Sequence, residues 1–241
     1  MRVSIIIPVL NSHEVLKRQC LHWEKIGVPE DAEIIIVDDG SDPPLKYEGE
    51  LPLRIIHTND TRPWTWALAR NRGVKEAKGE YILMTDIDHI LSKEALDTAS
   101  KFDGDKMYFV RQFGVLLEDG TLTQDVDTLF QYGLSKRYYK RHGLKIGSLP
   151  NNICLKKEVF WEMGGYREDL IGKKYPQGED RSFKTAWYRW LNGREQITEG
   201  APIYMFPNGY YCGDVDFNPF GLFHDTSRKT NKNYRYKKER Q

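Results

Sequence analysis

Two aspartates stand one residue apart in the stretch YILMTDIDHI, with His89 directly after the second of them. The five residues before Asp86 suit a buried strand, so both carboxylates are expected where that strand ends. Carboxylates this close repel each other, and burying them unpaired costs several kcal/mol, roughly. A cation between Asp86 and Asp88 would relieve the repulsion, because Mg²⁺ and Mn²⁺ prefer carboxylate oxygens and share them with substrate phosphates.

An aspartate pair of this kind has three other interpretations. The plainest is a solvated loop, in which Asp88 or Ser92 caps the helix that follows. A resemblance to phosphohydrolases would make the pair a nucleophile site, but that motif belongs on the first strand, and Ile90 stands where it has Thr or Val. A dinucleotide-binding oxidoreductase is disfavoured because no GxGxxG follows the first strand.

The elements that must position this pair follow from the pattern of apolar residues. Strands are predicted at 3–9, 33–37, 55–56 and 81–85, and helices around 15–23 and at 64–77. Strands that alternate with helices through short connections indicate an α/β fold with a mostly parallel sheet. Ligands bind beyond the carboxyl ends of such strands. The polar residues that follow three of the strands are therefore expected in one crevice: Asn11, Asp38, Asp39, Asp86 and Asp88.

The second half of the chain has a different pattern. A hairpin is predicted at 107–117 with a turn at Asp119-Gly120, a short strand at 151–155 and a helix from there to Met163. Glu179 to Leu191 predicts a helix that ends at Asn192-Gly193. We expect one compact domain, with a nucleotide-type α/β half at 1–100, a half at 101–225 that shapes a second site, and a basic tail at 226–241.

Composition limits the classes of partner. Because 36 Lys and Arg stand against 35 Asp and Glu, the net charge of +1 creates no global field for nucleic acid. The basic tail is the exception, either as a solvated segment or as a phosphate clamp. Cys20, Cys154 and Cys212 have no CxxC spacing, which predicts neither disulfides nor zinc and fits a reducing cytosol. No apolar run approaches the roughly 20 residues of a membrane-spanning helix, and no signal peptide is predicted.

Six segments, taken in order, resemble the inverting, family 2-like glycosyltransferases of the GT-A fold. They are SIIIPVLN (4–11), IIIVDDGS (34–41), ALARNRGV (67–74), GEYILMTDID (79–88), GGYRED (164–169) and GED (178–180). The resemblance implies a nucleotide-sugar donor, usually UDP-linked, and Mn²⁺ or Mg²⁺ as cofactor. It implies a donor site lined by Pro8, Val9 and Asn11, with Asp39 at the base, Arg70 near the diphosphate and Asp86 at the ribose.

The same resemblance assigns the metal ligands. Asp88 would be the direct ligand, and Asp86 would act partly through a metal-bound water. In several relatives a later histidine completes the metal shell, and His224 is the candidate in this sequence. His89 ranks below His224, because a continued strand pleat would turn its side chain away from Asp88.

Asp180 is the general base that the resemblance implies, with Glu179 holding an acceptor hydroxyl. Sugar transfer needs such a base because the acceptor hydroxyl must lose its proton as it attacks. The plain interpretation of the two residues is also available, since acidic side chains at a helix N-terminus complement the helix dipole.

Two other functions stay open. A sugar-phosphate nucleotidyltransferase would want a glycine-rich basic loop after the first strand, which PVLNSHE does not supply. A non-catalytic nucleotide- or sugar-binding relative would not need Asp86, Asp88 and Asp180. The expected acceptor is a saccharide, a lipid-linked molecule or a protein. The expected location is the cytoplasm, with peripheral membrane attachment as an alternative, and a homodimer is a further expectation.

Overall fold

The computed structural model describes residues 1–60, 62, 65–147, 151–172, 178–192 and 199–207. Within these ranges nine strands form one sheet in the order β3-β2-β1-β4-β10-β6-β11-β5, with β9 also paired to β6. The strands are β1 Val3–Val9, β2 Ala32–Asp38, β3 Leu53–His57, β4 Tyr81–Met84, β5 His89–Ile90, β6 Lys106–Phe113, β9 Lys145–Ile146, β10 Ile153–Lys156 and β11 Glu199–Met205. A separate hairpin pairs β7 Val115–Leu116 with β8 Leu122–Thr123.

Seven α-helices are present in the same ranges. They are α1 His13–Ile26, α2 Trp66–Glu76, α3 Lys93–Lys101, α4 Val126–Gln131, α5 Lys136–His142, α6 Lys157–Glu162 and α7 Glu179–Leu191. None of the helices in the described part of the chain combines the length and the apolar content that crossing a bilayer requires.

The first four strands of the sheet are parallel and lie between two layers of helices. Every residue of β1 and β2 is buried, as expected for β-branched strands that are covered on both faces. Alternate residues of β1 face opposite layers: Ile5 packs in the core with Trp23 of α1, and Ile6 packs with Val74 of α2. Because successive side chains of a strand point to opposite faces of the sheet, β1 contributes to two separate cores.

The other half of the sheet is mixed. β10 runs antiparallel to both β4 and β6, whereas β11 is parallel to β6. Six of the nine strands point in the same direction, which confirms the predicted α/β fold with a mostly parallel sheet. A third core cluster, built on Phe113, Leu129 and Ile146, lies under α4 and α5.

Most of the predicted elements are confirmed, and the predicted helix at 179–191 has the bounds of α7. α3 is the helix that one interpretation of the aspartate pair expected after it, whereas α4, α5 and β11 are among the elements that were not predicted. Ser92 caps α3, since its hydroxyl accepts the Ala95 N–H at 3.1 Å, while Gly200 and Pro202 interrupt the strand pattern of β11. His224 and the basic tail lie outside the described residues.

Candidate active site

The polar residues that were expected together lie at the carboxyl edge of the parallel strands. Asn11 follows β1, Asp39 follows β2 and Asp86 follows β4. Because β10 is antiparallel, its amino end reaches the same edge, and this adds Asn151 to the site. The fold thus brings together residues from both halves of the chain, including Asp180 from the first turn of α7.

The two aspartates that end β2 have different roles. Asp38 is structural, because it accepts the backbone N–H groups of Ser41 and Leu45 at 2.8 and 2.9 Å and lies 3.0 Å from His57 Nδ1. Burial alone would raise the pKa of Asp38, but these contacts hold it below its ordinary value. Asp38 therefore shapes the loop that carries Asp39.

Asp39 is fully buried and is held by two threonines. It accepts the Thr58 hydroxyl at 3.1 Å, and Thr65 Oγ1 lies 2.9 and 2.7 Å from its two carboxylate oxygens. Thr65 is also the residue before α2. The position that the family resemblance assigns to the nucleotide base is therefore rigidly oriented by its neighbours.

The end of β1 is fastened to the same loop. Asn11 has a φ of 50°, its N–H donates to Ser41 Oγ at 2.9 Å, and its Oδ1 accepts the Asp42 N–H at 2.8 Å. Pro8 and Val9 are buried in β1, and the Val9 side chain belongs to the core. A contact of Val9 with a nucleotide would therefore have to come from its backbone.

Arg70 of α2 lies at the centre of the acidic residues. Its Nη2 donates to Asp86 Oδ1 at 2.8 Å, and its Nη1 lies 3.7 Å from Glu179 Oε1 and 3.8 Å from Asp180 Oδ1. Burial alone would lower the pKa of Arg70, but Asp86, Tyr166, Asp180 and Glu179 raise it above its ordinary value. One permanent cation therefore holds three carboxylates in the same small volume.

Asp180 is the most accessible of these carboxylates, with 41% of its side chain exposed against 5% for Glu179. The Asn151 amide donates to Asp180 Oδ1 at 2.8 Å, and the Tyr166 hydroxyl donates to Asn151 Oδ1 at 2.8 Å. Burial raises the pKa of Asp180, and Arg70 opposes that rise. Asp180 thus combines access, a fixed orientation and a raised pKa, which are the attributes of a general base.

Asp86, Asp88 and His89 form a group suited to a divalent cation. Each contributes one ligand atom, and these atoms all lie within 4.8 Å of one another. The expected orientation of His89 was wrong: its Nδ1 lies 2.7 Å from Asp88 Oδ1. The pleat does not continue from β4, because a turn closed by the His89 N–H and the Asp86 carbonyl intervenes.

Two buried side chains support this turn. Gln19 of α1 donates to the carbonyl oxygens of His89 and Ile87 at 2.6 and 3.3 Å. Arg111 of β6 lies 3.4 Å from His89 Nε2. His89 Nδ1 therefore faces Asp88, while Nε2 on the other side of the ring faces Arg111.

Sequence reasoning missed three parts of this site: Asn151, Arg111 and Gln19. Tyr166 was predicted to stack on a sugar ring, but it is buried, and the Asn71 amide donates to its carbonyl at 2.8 Å. His224, the predicted third metal ligand, lies outside the described residues. Within the described ranges, the histidine close to the aspartate pair is His89.

Comparison with known proteins decides the family. The model for glycosyl transferase family 2 matches residues 4–164, well over half of the chain. The chain belongs to glycosyl transferase family 2. This assignment confirms the resemblance that the six sequence segments indicated. The matched region of this family 2 chain contains Arg70, Asp86 and Asp88, whereas Glu179 and Asp180 lie beyond it.

Two curated relatives are similar to this family 2 chain. The poly(ribitol-phosphate) beta-N-acetylglucosaminyltransferase TarS of Staphylococcus aureus is 33% identical over 110 residues, which are 42% of this chain and 19% of TarS. An uncharacterized glycosyltransferase of Rickettsia conorii is 30% identical over 241 residues, 92% of this chain and 37% of the relative. The matched regions thus span well under half of these proteins.

Solved structures show the same fold. S. aureus TarS 1-349 in complex with UDP has a TM-score of 0.53 at 19% identity, covering 87% of this family 2 chain and 61% of that one. The mannosyltransferase PcManGT of Pyrobaculum calidifontis, in complex with GDP-Man and Mn²⁺, has a TM-score of 0.52 at 18% identity, with coverages of 87% and 58%. The GT-A fold predicted from the sequence is confirmed by these likenesses.

Proposed function

We propose that this chain transfers a sugar from a nucleoside-diphosphate donor to an acceptor hydroxyl, with inversion at the anomeric carbon. The observation that carries the proposal is the cluster around Arg70, which holds Asp86 of the aspartate pair and Asp180 on one guanidinium. Asp86, the donor-side carboxylate, contacts Nη2 of Arg70, and Asp180, the candidate base, lies near Nη1. An inverting transferase needs both a donor-side carboxylate and a base, because the acceptor loses its proton as it attacks the sugar opposite the leaving diphosphate.

UDP is the proposed nucleotide. The complex of TarS with UDP supports this choice, and so does the buried carboxylate of Asp39, which can accept the imino proton of uracil. Asn11, and Pro8 and Val9 through their backbone, would line the same pocket. The PcManGT complex holds GDP-Man, so the choice between UDP and another nucleotide needs a direct measurement.

Asp86, Asp88 and His89 are the proposed holders of Mn²⁺ or Mg²⁺. Two carboxylates and one imidazole within 4.8 Å are a donor set that suits either ion, Mn²⁺ more than Mg²⁺ because of the nitrogen ligand. Asp86 keeps one oxygen on Arg70, so Asp88 is the stronger candidate for direct ligation. His224 stays a predicted ligand. When bound, the ion would neutralise charge that develops on the leaving diphosphate.

Asp180 is the proposed base. As the acceptor oxygen bonds to the anomeric carbon, the bond from that carbon to the diphosphate oxygen breaks, and the acceptor proton passes to the Asp180 carboxylate. The Asn151 amide orients this carboxylate. Glu179 is nearly buried, so its proposed contact with an acceptor hydroxyl would require the hydroxyl to reach the N-terminal end of α7.

Two substitutions test the proposal with the purified protein, Mn²⁺ and a panel of UDP-sugars. Asp88→Ala should abolish metal-dependent donor hydrolysis and the metal-dependent part of the UDP affinity. Asp180→Asn should leave UDP binding intact and lower kcat by about 10²- to 10⁴-fold, the usual contribution of a general base. Asp103→Asn, at an exposed carboxylate outside the crevice, is the matched control and should change neither.

Three results would contradict parts of the proposal. UDP binding that is indifferent to metal and to Asp88→Ala would remove the metal site. Near-full transfer by Asp180→Asn would remove the base. Tight UDP-sugar binding without turnover for any donor or acceptor would favour the alternative, a non-catalytic nucleotide- or sugar-binding relative. The acceptor, whether saccharide, lipid-linked or protein, and a homodimer stay predictions.

A further inference from the structure

A basic surface lies beside the crevice. Between Asp127 and Glu158 the sequence contains no acidic residue but seven Lys and Arg. Five of them are exposed on α5 and β9: Lys136, Arg137, Lys140, Arg141 and Lys145. We call these five residues the basic face. In the described part of the chain no carboxylate forms an ion pair with any of them.

The arrangement of the basic face works against the helix that carries it. Lys136 and Lys140, and likewise Arg137 and Arg141, are spaced i, i+4 and so lie one turn apart on the same side of α5. Like charges in this spacing destabilise a helix, and the helix dipole disfavours Lys136 and Arg137 in the first turn, although it favours Lys140 and Arg141 in the last turn. Such a concentration of cations is expected where an anionic ligand neutralises it.

The basic face is joined to the proposed active site. β9 pairs with Arg111 and Gln112 of β6, and Arg111 Nε donates to the Gly147 carbonyl at 2.8 Å. The same Arg111 reaches His89, which is in the metal-ligand group. Four residues after Gly147 comes Asn151, the residue that orients Asp180. The basic face is thus linked through β9 and Arg111 to the metal-ligand group.

We propose that the basic face binds a phosphodiester-linked polymer that carries free hydroxyls, and that this polymer is the acceptor. The inference rests on the proposed transferase function. In this arrangement the phosphates of the polymer bind the basic face, and the reacting hydroxyl lies at Asp180.

Two other anionic partners fit the surface less well. Single-stranded nucleic acids bind on aromatic platforms as well as on cations, but the aromatic rings of α5 pack against the protein. Tyr138 contacts Phe113 and Tyr139 contacts Phe130, with ring centroids 5.5 and 5.7 Å apart. A membrane surface favours a helix with a free apolar face, and the same two tyrosines occupy that side of α5.

The experiment measures binding without a donor sugar, so it is independent of catalysis. The probe is a synthetic poly(glycerol phosphate) oligomer, compared with uncharged polyglycerol of equal length, a single-stranded oligodeoxynucleotide and phosphatidylglycerol vesicles. The test variant replaces Lys136, Arg137, Lys140 and Arg141 by Gln. The matched control replaces four exposed lysines elsewhere by Gln, so both variants lose the same charge. These lysines are Lys17, Lys75, Lys78 and Lys101.

The expected result is at least a tenfold rise in the Kd for poly(glycerol phosphate) in the test variant and less than a twofold rise in the control. The salt dependence of log Kd should also become shallower in the test variant alone, because fewer phosphates are neutralised. Circular dichroism and Tm establish that both variants are folded. Uncharged polyglycerol should not bind.

Several outcomes would overturn the inference. Equal loss of affinity in both variants would show a general charge effect. Tighter binding of the oligodeoxynucleotide or the vesicles than of poly(glycerol phosphate) would assign the basic face to that partner instead. Loss of UDP affinity as large as the loss of polymer affinity would assign it to the donor. Absence of turnover by a wild-type protein that still binds the polymer would contradict the proposed function and the acceptor role of the polymer, but not the binding of the polymer to the basic face.

Discussion

A single arginine organises the chemistry of the crevice. Arg70 is nearly buried, yet it faces Asp86, Glu179 and Asp180 at ion-pair distances. Three carboxylates at this spacing would repel one another in the protein interior without a shared cation. Arg70 is therefore as important for holding the acidic residues in place as it is for any contact with a diphosphate.

Replacing Arg70 tests this role. Arg70→Met should lower the free energy of unfolding by about 3–5 kcal/mol at pH 7, because it leaves buried carboxylates without their partner. The loss should shrink as the pH falls, because protonation of the carboxylates removes their mutual repulsion. Denaturant unfolding between pH 4 and pH 8 measures the effect. Arg72→Met, at an exposed position of the same helix, should cost little at any pH.

Asn151 offers a second test at the base. Burial raises the pKa of Asp180, whereas the Asn151 hydrogen bond lowers it. Since the base must be deprotonated, activity should rise with pH through a pKa above the ordinary aspartate value. Asn151→Ala removes the lowering contact, so the acidic limb of kcat/KM should move to higher pH.

Tyr166→Phe is the comparison for that experiment. It removes only the hydroxyl that orients Asn151 and should give a smaller shift in the same direction. A pH profile that does not move in Asn151→Ala, in a protein of unchanged Tm, would show that Asn151 does not tune Asp180.

Helix α2 positions Arg70 through close packing on the sheet. A Cβ atom on Gly73 would lie 2.4 Å from Ile6 Cγ2 and 3.0 Å from Val37 Cγ2. Neither atom is at the end of a flexible side chain, so a larger residue must push α2 away from β1 and β2. The absence of a side chain at Gly73 therefore sets how deeply Arg70 enters the crevice.

Gly73→Ala should destabilise the protein although alanine favours helices. We expect a loss of about 1–3 kcal/mol from overpacking, against a gain of about 1 kcal/mol in helix propensity. UDP affinity should fall as well, because Arg70 shifts with its helix. Arg72→Ala on the exposed side of α2 is the control and should leave both quantities unchanged. A Gly73→Ala protein that is as stable as the wild type would show that β1 moves to accommodate the added methyl group.

The crevice collects residues from widely separated parts of the chain. Asn11, Asp39, Asp86, Asn151 and Asp180 come from both halves of the sequence, and each depends on a different element for its position. A ligand that binds them together therefore stabilises the whole folded molecule relative to the unfolded chain.

Thermal unfolding measures that linkage. UDP and Mn²⁺ together, each at about 100 times its Kd, should stabilise the wild-type protein by about 2.7 kcal/mol or more, with a matching rise in Tm. UDP with EDTA should give a smaller rise. In Asp88→Ala the difference between Mn²⁺ and EDTA should vanish, while Asp103→Asn should behave as wild type. A metal-dependent rise that persists in Asp88→Ala would place the ion elsewhere.

Much of this molecule was predictable because its elements are locally consistent. The segment Val3 to Val9 is apolar and mostly β-branched, and the segment 179–191 has apolar residues at helical spacing. These local patterns predict β1 and α7. The aspartate pair and Asp180 were also identified, since their segments occur in an order and spacing that resemble a known family. β11 escaped prediction because Gly200 and Pro202 conceal a strand that is specified by its neighbours β6 and β5.

What the amino-acid sequence establishes without further information is the set of elements, the family and the main acidic residues, because these depend on local pattern and motif order. Only the tertiary structure shows that His89 turns toward Asp88, that Asn151 orients Asp180, and that Arg70 faces three carboxylates. These contacts join residues that are 16 to more than 100 positions apart or depend on a turn at the end of β4. Their distances are set by the packing of helices on the sheet, which no local pattern contains.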